Sequence, residues 1–192
     1  MRFLLPILLL IFSCNNRQTA NAPHADQNDY ATLTKENAEE RLKELRSSFT
    51  DSSLAIMTDA GLAVQVAEFE LQPIGSKPGP LTADSLAVNE TGKNLYRCMQ
   101  RAYELSLAHA TRPADINYYK EQRLIPEKEW LASKFSGKKT TDGLIALHRL
   151  QKDMLIVSMV VNNLDSDEGR RQADEQYGKI EAITKDESDH SQ

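Results

Sequence analysis

Between Leu147 and Leu164 the apolar residues Leu147, Leu150, Met154, Val157, Val161 and Leu164 follow one another at alternating steps of three and four. A helix advances about 100° per residue, so this spacing gathers all six on one face; a strand would scatter them over two. Leu155, Ile156, Met159 and Val160 add apolar side chains away from that face, as in a helix enclosed on several sides. The β-branched run Met154–Val161 would also suit a buried strand. Helical flanks and a total length beyond about 20 residues decide for helix, with Thr141 as its cap.

The same periodicity appears twice upstream. Leu42, Leu45, Phe49, Ile56, Ala60, Ala63, Val64, Ala67 and Leu71 keep one phase across the Ser47–Ser53 stretch. This predicts a single helix from a cap at Thr34 to Pro73, roughly 40 residues and about 55 Å long. Gly61 is its soft spot, costing about 1 kcal/mol relative to alanine. The Pro- and Gly-rich run Pro73–Pro80 is a loop. A second helix is expected from Ala83 to Ala110, with Val88, Leu95, Cys98, Ala102, Leu105 and His109 at heptad-like spacing and Arg112-Pro113 as the stop. Residues 113–140 are less regular, with Pro126 placed as the first residue of a short helix carrying Trp130, Leu131 and Phe135. Beyond Leu164 the chain is strongly charged, and Tyr177, Ile180 and Ile183 suit either a short helix or a strand. The expected fold is all-α: a helical bundle of three to four main helices with an irregular helical connection.

Eight glycines, seven prolines and 6% aromatic residues fit such a bundle better than a turn-rich sandwich. A net charge of −5 and no basic run argue against nucleic acid, which attracts proteins through phosphate neutralisation.

The N-terminus carries a different signal. Met1-Arg2 precedes an apolar run from Phe3 to Phe12, and Ser13-Cys14 follows. One positive charge, a short apolar stretch and a small residue at the cut are the layout of a secretory signal, and the stretch is about half of what a membrane span needs. Ile11-Phe12-Ser13-Cys14 resembles the lipobox of bacterial lipoproteins, whose cysteine receives a diacylglycerol and becomes the new N-terminus. The alternative is an ordinary signal peptide cut between Ser13 and Ala22, with Cys14 incidental; a small residue directly before a cysteine at the end of the apolar run favours the lipoprotein. Two or three acyl chains hold a protein stably at a membrane. The resulting plan is a signal peptide (1–13), a lipidated Cys14 with a flexible tether (14–33), a helical bundle domain (34–184) and a disordered polar tail (185–192). Cys98 is then the only thiol left, so no internal disulfide forms; within its apolar-periodic stretch it reads as a small core hydrophobe.

Catalytic and metal-binding patterns are missing. His24 and His190 fall in the tether and the tail, His109 and His148 in helices. Glu-x-x-His occurs only as Glu187-Ser188-Asp189-His190 in the polar tail, His-Glu-x-x-His and Cys-x-x-Cys do not occur, and His109 with His148 is too few ligands, so no metal and no cofactor is expected. There is no Gly-x-Ser-x-Gly elbow and no phosphate-binding glycine loop. The carboxylates read as a solvated surface opposite the apolar stripes. Tyr118, Tyr119 and Trp130 stand in the irregular connection, where aromatic residues either anchor a partner or pack the connection onto the bundle.

One resemblance extends over roughly residues 35–184. Trp130 and Phe135, then Leu147-His148-Arg149-Leu150-Gln151-Lys152-Asp153 and Val160-Val161-Asn162-Asn163-Leu164, are similar to the end of the first periplasmic domain of the gliding-motility M protein family. Gly92-Lys93-Asn94-Leu95-Tyr96 with Tyr103-Glu104-Leu105 resembles that domain's second helix, and Tyr177–Ile183 the entry into its second domain. The family forms the shaft of the motor that drives type IX secretion. It begins with a membrane-spanning helix and continues through β-rich domains, and this sequence shows neither. The resemblance therefore implies a periplasmic helical bundle that makes protein contacts, without torque generation. The expected protein is a non-catalytic scaffold or accessory subunit, anchored in the membrane by its lipid and facing the periplasm with a protein partner there. A bundle binding a small apolar ligand is the alternative. Asn15, where an aspartate marks inner-membrane retention in some bacteria, leans toward the outer membrane.

Overall fold

The computed structural model describes residues 52–72 and 81–189. They form α1 (Ser52–Leu71), α2 (Ala83–Leu86), α3 (Glu90–His109), α4 (Pro113–Leu124), α5 (Glu127–Phe135), α6 (Thr140–Val161) and α7 (Asp167–Asp189), with no strand among them. The fold is all-α, as the periodicity requires. The signal peptide, Cys14, the tether, the part of the first helix bearing Leu42, Leu45 and Phe49, and the loop Pro73–Pro80 lie outside the described residues. No helix among the described residues is long and apolar enough to cross a membrane.

Helix α1 buries the expected stripe, Ala60, Ala63, Val64, Ala67 and Leu71, together with Met57. Its run of alanines lets it lie against both α3 and α6. Helix α6 buries Leu147, Leu150, Met154 and Val157. These residues join Leu86, Leu95, Met99, Ala102, Tyr103, Tyr119, Trp130, Leu131 and Phe135 in one continuous core.

The helix expected over residues 83–110 is two helices. Asn89 is extended and its side-chain oxygen accepts from the Gly92 amide at 2.9 Å, a cap that starts a new helix. Thr82 caps α2 through the Ser85 amide at 3.1 Å. The break resets the phase, so α3 buries Gly92, Leu95, Met99, Ala102, Tyr103 and Ser106. Val88 is left 72% exposed in the turn, while Cys98 and Leu105 are half-buried at the edge of the core and His109 is exposed. The joint is tight: a Cβ on Gly92 would lie 1.8 Å from the Leu86 carbonyl oxygen.

Smaller corrections concern caps. Pro126 precedes α5 as its N-cap, its carbonyl accepting from the Trp130 amide at 2.9 Å, instead of being the first helical residue. Helix α6 starts at Thr140 from Lys139, which makes no side-chain cap, so Thr141 lies inside the helix. At the far end Asn163 takes φ +55°. The Leu164 amide donates to the Met159 carbonyl at 2.8 Å and the Asn163 amide to Val160 at 3.3 Å, a Schellman turn. That turn swings Leu164 off the stripe and leaves it 52% exposed, with Val160 the buried residue of the last turn. Residues 167–189, open between helix and strand, form one long helix rich in Glu, Gln, Arg, Lys and Ala. It runs past Lys185, where the polar tail was expected to begin.

Candidate functional site

The three aromatic residues singled out in the connection do not share one environment. Trp130 is fully buried and Tyr119 is 2% exposed, so neither presents a surface to a partner. Both pack the connection onto the bundle. Trp130 stacks edge-on with Tyr96, with ring centroids 5.6 Å apart, and its Nε1 donates to Gln122 Oε1 at 3.3 Å. Tyr96 Oη in turn donates to the Ile125 carbonyl at 2.9 Å. These bonds satisfy the polar ends of two large rings while their bodies fill the core. Tyr118 is the exception, at 37% exposed.

Tyr118 belongs to a cluster that no single periodicity would assemble. Its hydroxyl donates to Asp153 Oδ2 at 2.6 Å, and Tyr103 Oη donates to the same oxygen at 2.9 Å. Asp153 is on α6, Tyr103 on α3 and Tyr118 on α4, so one carboxylate ties three helices together. The rings reinforce it: Tyr103 and Tyr118 meet edge-on at 6.0 Å, and Tyr118 and Tyr119 at 5.5 Å. Burial pushes the Asp153 carboxyl above its ordinary range, although the two phenols and Lys134 oppose that. Burial, aided by the Asp153 charge, also raises Tyr103 and Tyr118, and burial lifts Tyr119 to about 12. The phenols therefore stay protonated and donate. Burial lowers Lys134, whose ammonium lies 4.6 Å from the centre of the Trp130 ring.

Two further polar clusters lie within the bundle. Glu68 on α1 accepts from Gln72 at 2.8 Å and from Gln151 on α6, and His148 Nε2 stands 3.6 Å from it. His148 is buried and its Nδ1 has no hydrogen-bond partner. His109 is exposed at the end of α3, so the two helical histidines sit in different surroundings. Among the described residues no three His, Cys, Asp or Glu side chains gather where a metal ion would be held. The second cluster centres on Arg170, which binds Asp115 on α4 at 2.9 and 2.5 Å and Asp165 at 2.6 and 3.0 Å.

The carboxylates are thus not all a solvated face: Asp59 and Asp115 are buried, and Glu68 and Asp153 point inward. Asp153 had a legible signal, since it lies between Leu150 and Met154 on a helix enclosed on several sides. The Arg170–Asp115 pair had none, because its members are 55 residues apart. Comparison of the chain with family models, with curated proteins and with solved structures finds no match.

Proposed function

We propose that this chain is a lipid-anchored periplasmic helical module that works by protein contact, as a non-catalytic scaffold or accessory subunit of gliding-motility or type IX secretion machinery. The anchor and the location rest on the signal sequence and Cys14. The placement beside that machinery rests on the resemblance, whose Leu95, Tyr103, Trp130, Phe135, Leu147, Leu150 and Asp153 are residues that pack or bind helices to one another here.

The observation that carries the contact reading is the fixed, partly exposed tyrosine on α4. Tyr118 is held by Asp153 and by two neighbouring rings, so presenting it costs little further side-chain entropy on binding. Aromatic anchors of this kind dominate binding energy at protein interfaces. Leu124, at the end of the same helix, is 81% exposed. Six residues apart, the two lie about 120° from each other around α4, so the tyrosine and the leucine offer two separate contacts to a protein partner at the membrane.

The experiment compares the tagged native lipoprotein with its Leu124→Ser and Tyr118→Phe forms in co-purification. Leu124→Ser should leave stability within about 0.5 kcal/mol, as for an ordinary surface change. Loss of a protein retained by the wild type, with the melting temperature held, supports the reading. Equal retention by both variants removes α4 as the docking surface.

A further inference from the structure

Helix α7 is attached differently from every other long helix of the bundle. Among its described side chains, the buried ones are Ala173 and Tyr177. With Ile145 and Val160 of α6 they are buried residues that stand outside the continuous core. The thioether of Met159 fills the space beside Gly169, 3.1 Å from where a Cβ would stand. Polar contacts add to the attachment. Arg149 on α6 grips Glu181 with two bonds of 3.0 Å, and Lys152 reaches Asp174 at 3.0 Å. At the other end Arg170 grips Asp115 on α4, while Arg112 reaches Asp165 at 2.8 Å and Asp167 at 2.6 Å.

The joint between α6 and α7 is also self-contained. The Schellman turn at Asn163 satisfies the last carbonyls of α6. Ser166 caps α7, its Oγ accepting from the Gly169 amide at 3.1 Å and its carbonyl from Arg170 at 3.0 Å. Neither helix depends on the other for its terminal hydrogen bonds. A small apolar patch, exposed ion pairs on every turn but that of Arg170, whose pairing with Asp115 is mostly buried, and a capped hinge are what a segment of lower local stability is made of.

We propose that α7 opens and closes over α6 as one unit, hinged at residues 162–166, while the rest of the bundle stays folded. Opening uncovers Ile145, Val160 and Met159 between the charges of Arg149 and Lys152, an apolar strip with a basic border that suits an acidic amphipathic helix such as α7 itself. This goes beyond the scaffold reading and does not depend on it, because α7 detaches whether or not α4 holds a partner.

Hydrogen exchange on the full chain, at low and at high salt, tests it. The expected result is that amides from Arg170 to Ile180 share one protection factor, at least about tenfold below that of the core amides of α6. High salt should speed that exchange more than exchange in α1, α3 and α6, because it screens the ion pairs. Arg170→Gln should accelerate α7, and α4 where Asp115 loses its partner, without accelerating α6. A rate that falls steadily inward from Asp189 would show fraying and overturn the proposal. So would equal protection of α6 and α7 at both salts, or an Arg170→Gln chain in which both helices lose protection together.

Discussion

Val157 illustrates what one residue controls. It is fully buried in the middle of the α6 stripe, where an unpaired carboxylate costs several kcal/mol or takes up a proton. Set against a total stability of about 5–15 kcal/mol, Val157→Asp should largely unfold the domain, and thermal melting by circular dichroism reads this directly. Asp153 makes a subtler case. Because burial raises its folded pKa, the folded state binds the proton more tightly than the unfolded chain does. The stability it contributes is therefore fully present below the unfolded value, near 3.8, and is lost as pH rises through the folded value. The wild type should hold its largest advantage over Asp153→Asn in acid, and that advantage should shrink toward neutral pH. Denaturant unfolding of both proteins across this range gives the answer; an advantage that grew with pH would mean that the tyrosine hydrogen bonds outweigh burial.

Among the elements, the α2–α3 joint shows how a short turn can hold two helices in a fixed relation. Gly92 is where the Leu86 carbonyl meets the first turn of α3, and backbone cannot move aside as the end of a side chain can. Gly92→Ala should cost about 1–3 kcal/mol or more, in spite of alanine's better helix propensity. A melting temperature equal to or above that of the wild type would show that α2 repacks freely. The long helices draw on different sources of stability. The chain of alanines on α1 gives close approach to α3 and α6, and the branched stripe of α6 gives volume to the core. Helix α7 has strong intrinsic propensity and, among its described side chains, buries Ala173 and Tyr177.

For the molecule as a whole, a single core links α1 through α6, and α7 is added over a small patch of its own. The proposed role needs this body held at a membrane, and that requirement falls on Cys14. Cys14→Ser should abolish acylation and leave an uncleaved precursor, seen as a slower-migrating band that takes up no labelled fatty acid. A variant matured to the same N-terminus and still sedimenting with membranes would remove the lipid anchor from the reading.

Periodicity alone specified that the fold is helical and which faces of α1 and α6 turn inward, because a 3.6-residue repeat leaves an apolar stripe no other way to leave water. Trp130, Leu131 and Phe135 were legible as a short helix for the same reason. The break at Asn89 was not legible: the cap bond to Gly92 and the close approach of the Leu86 carbonyl to Gly92 appear only once the two helices are in place. Nor was the fate of the aromatic residues, since Tyr118 and Tyr119 are neighbours in the chain and only the positions of α3 and α6 leave one partly exposed and make the other part of the core. The pairings of Asp153 with two tyrosines and of Arg170 with Asp115 belong wholly to the tertiary structure. A charge is buried only where a partner from another helix arrives to meet it, and that arrival is set by how the apolar stripes pack.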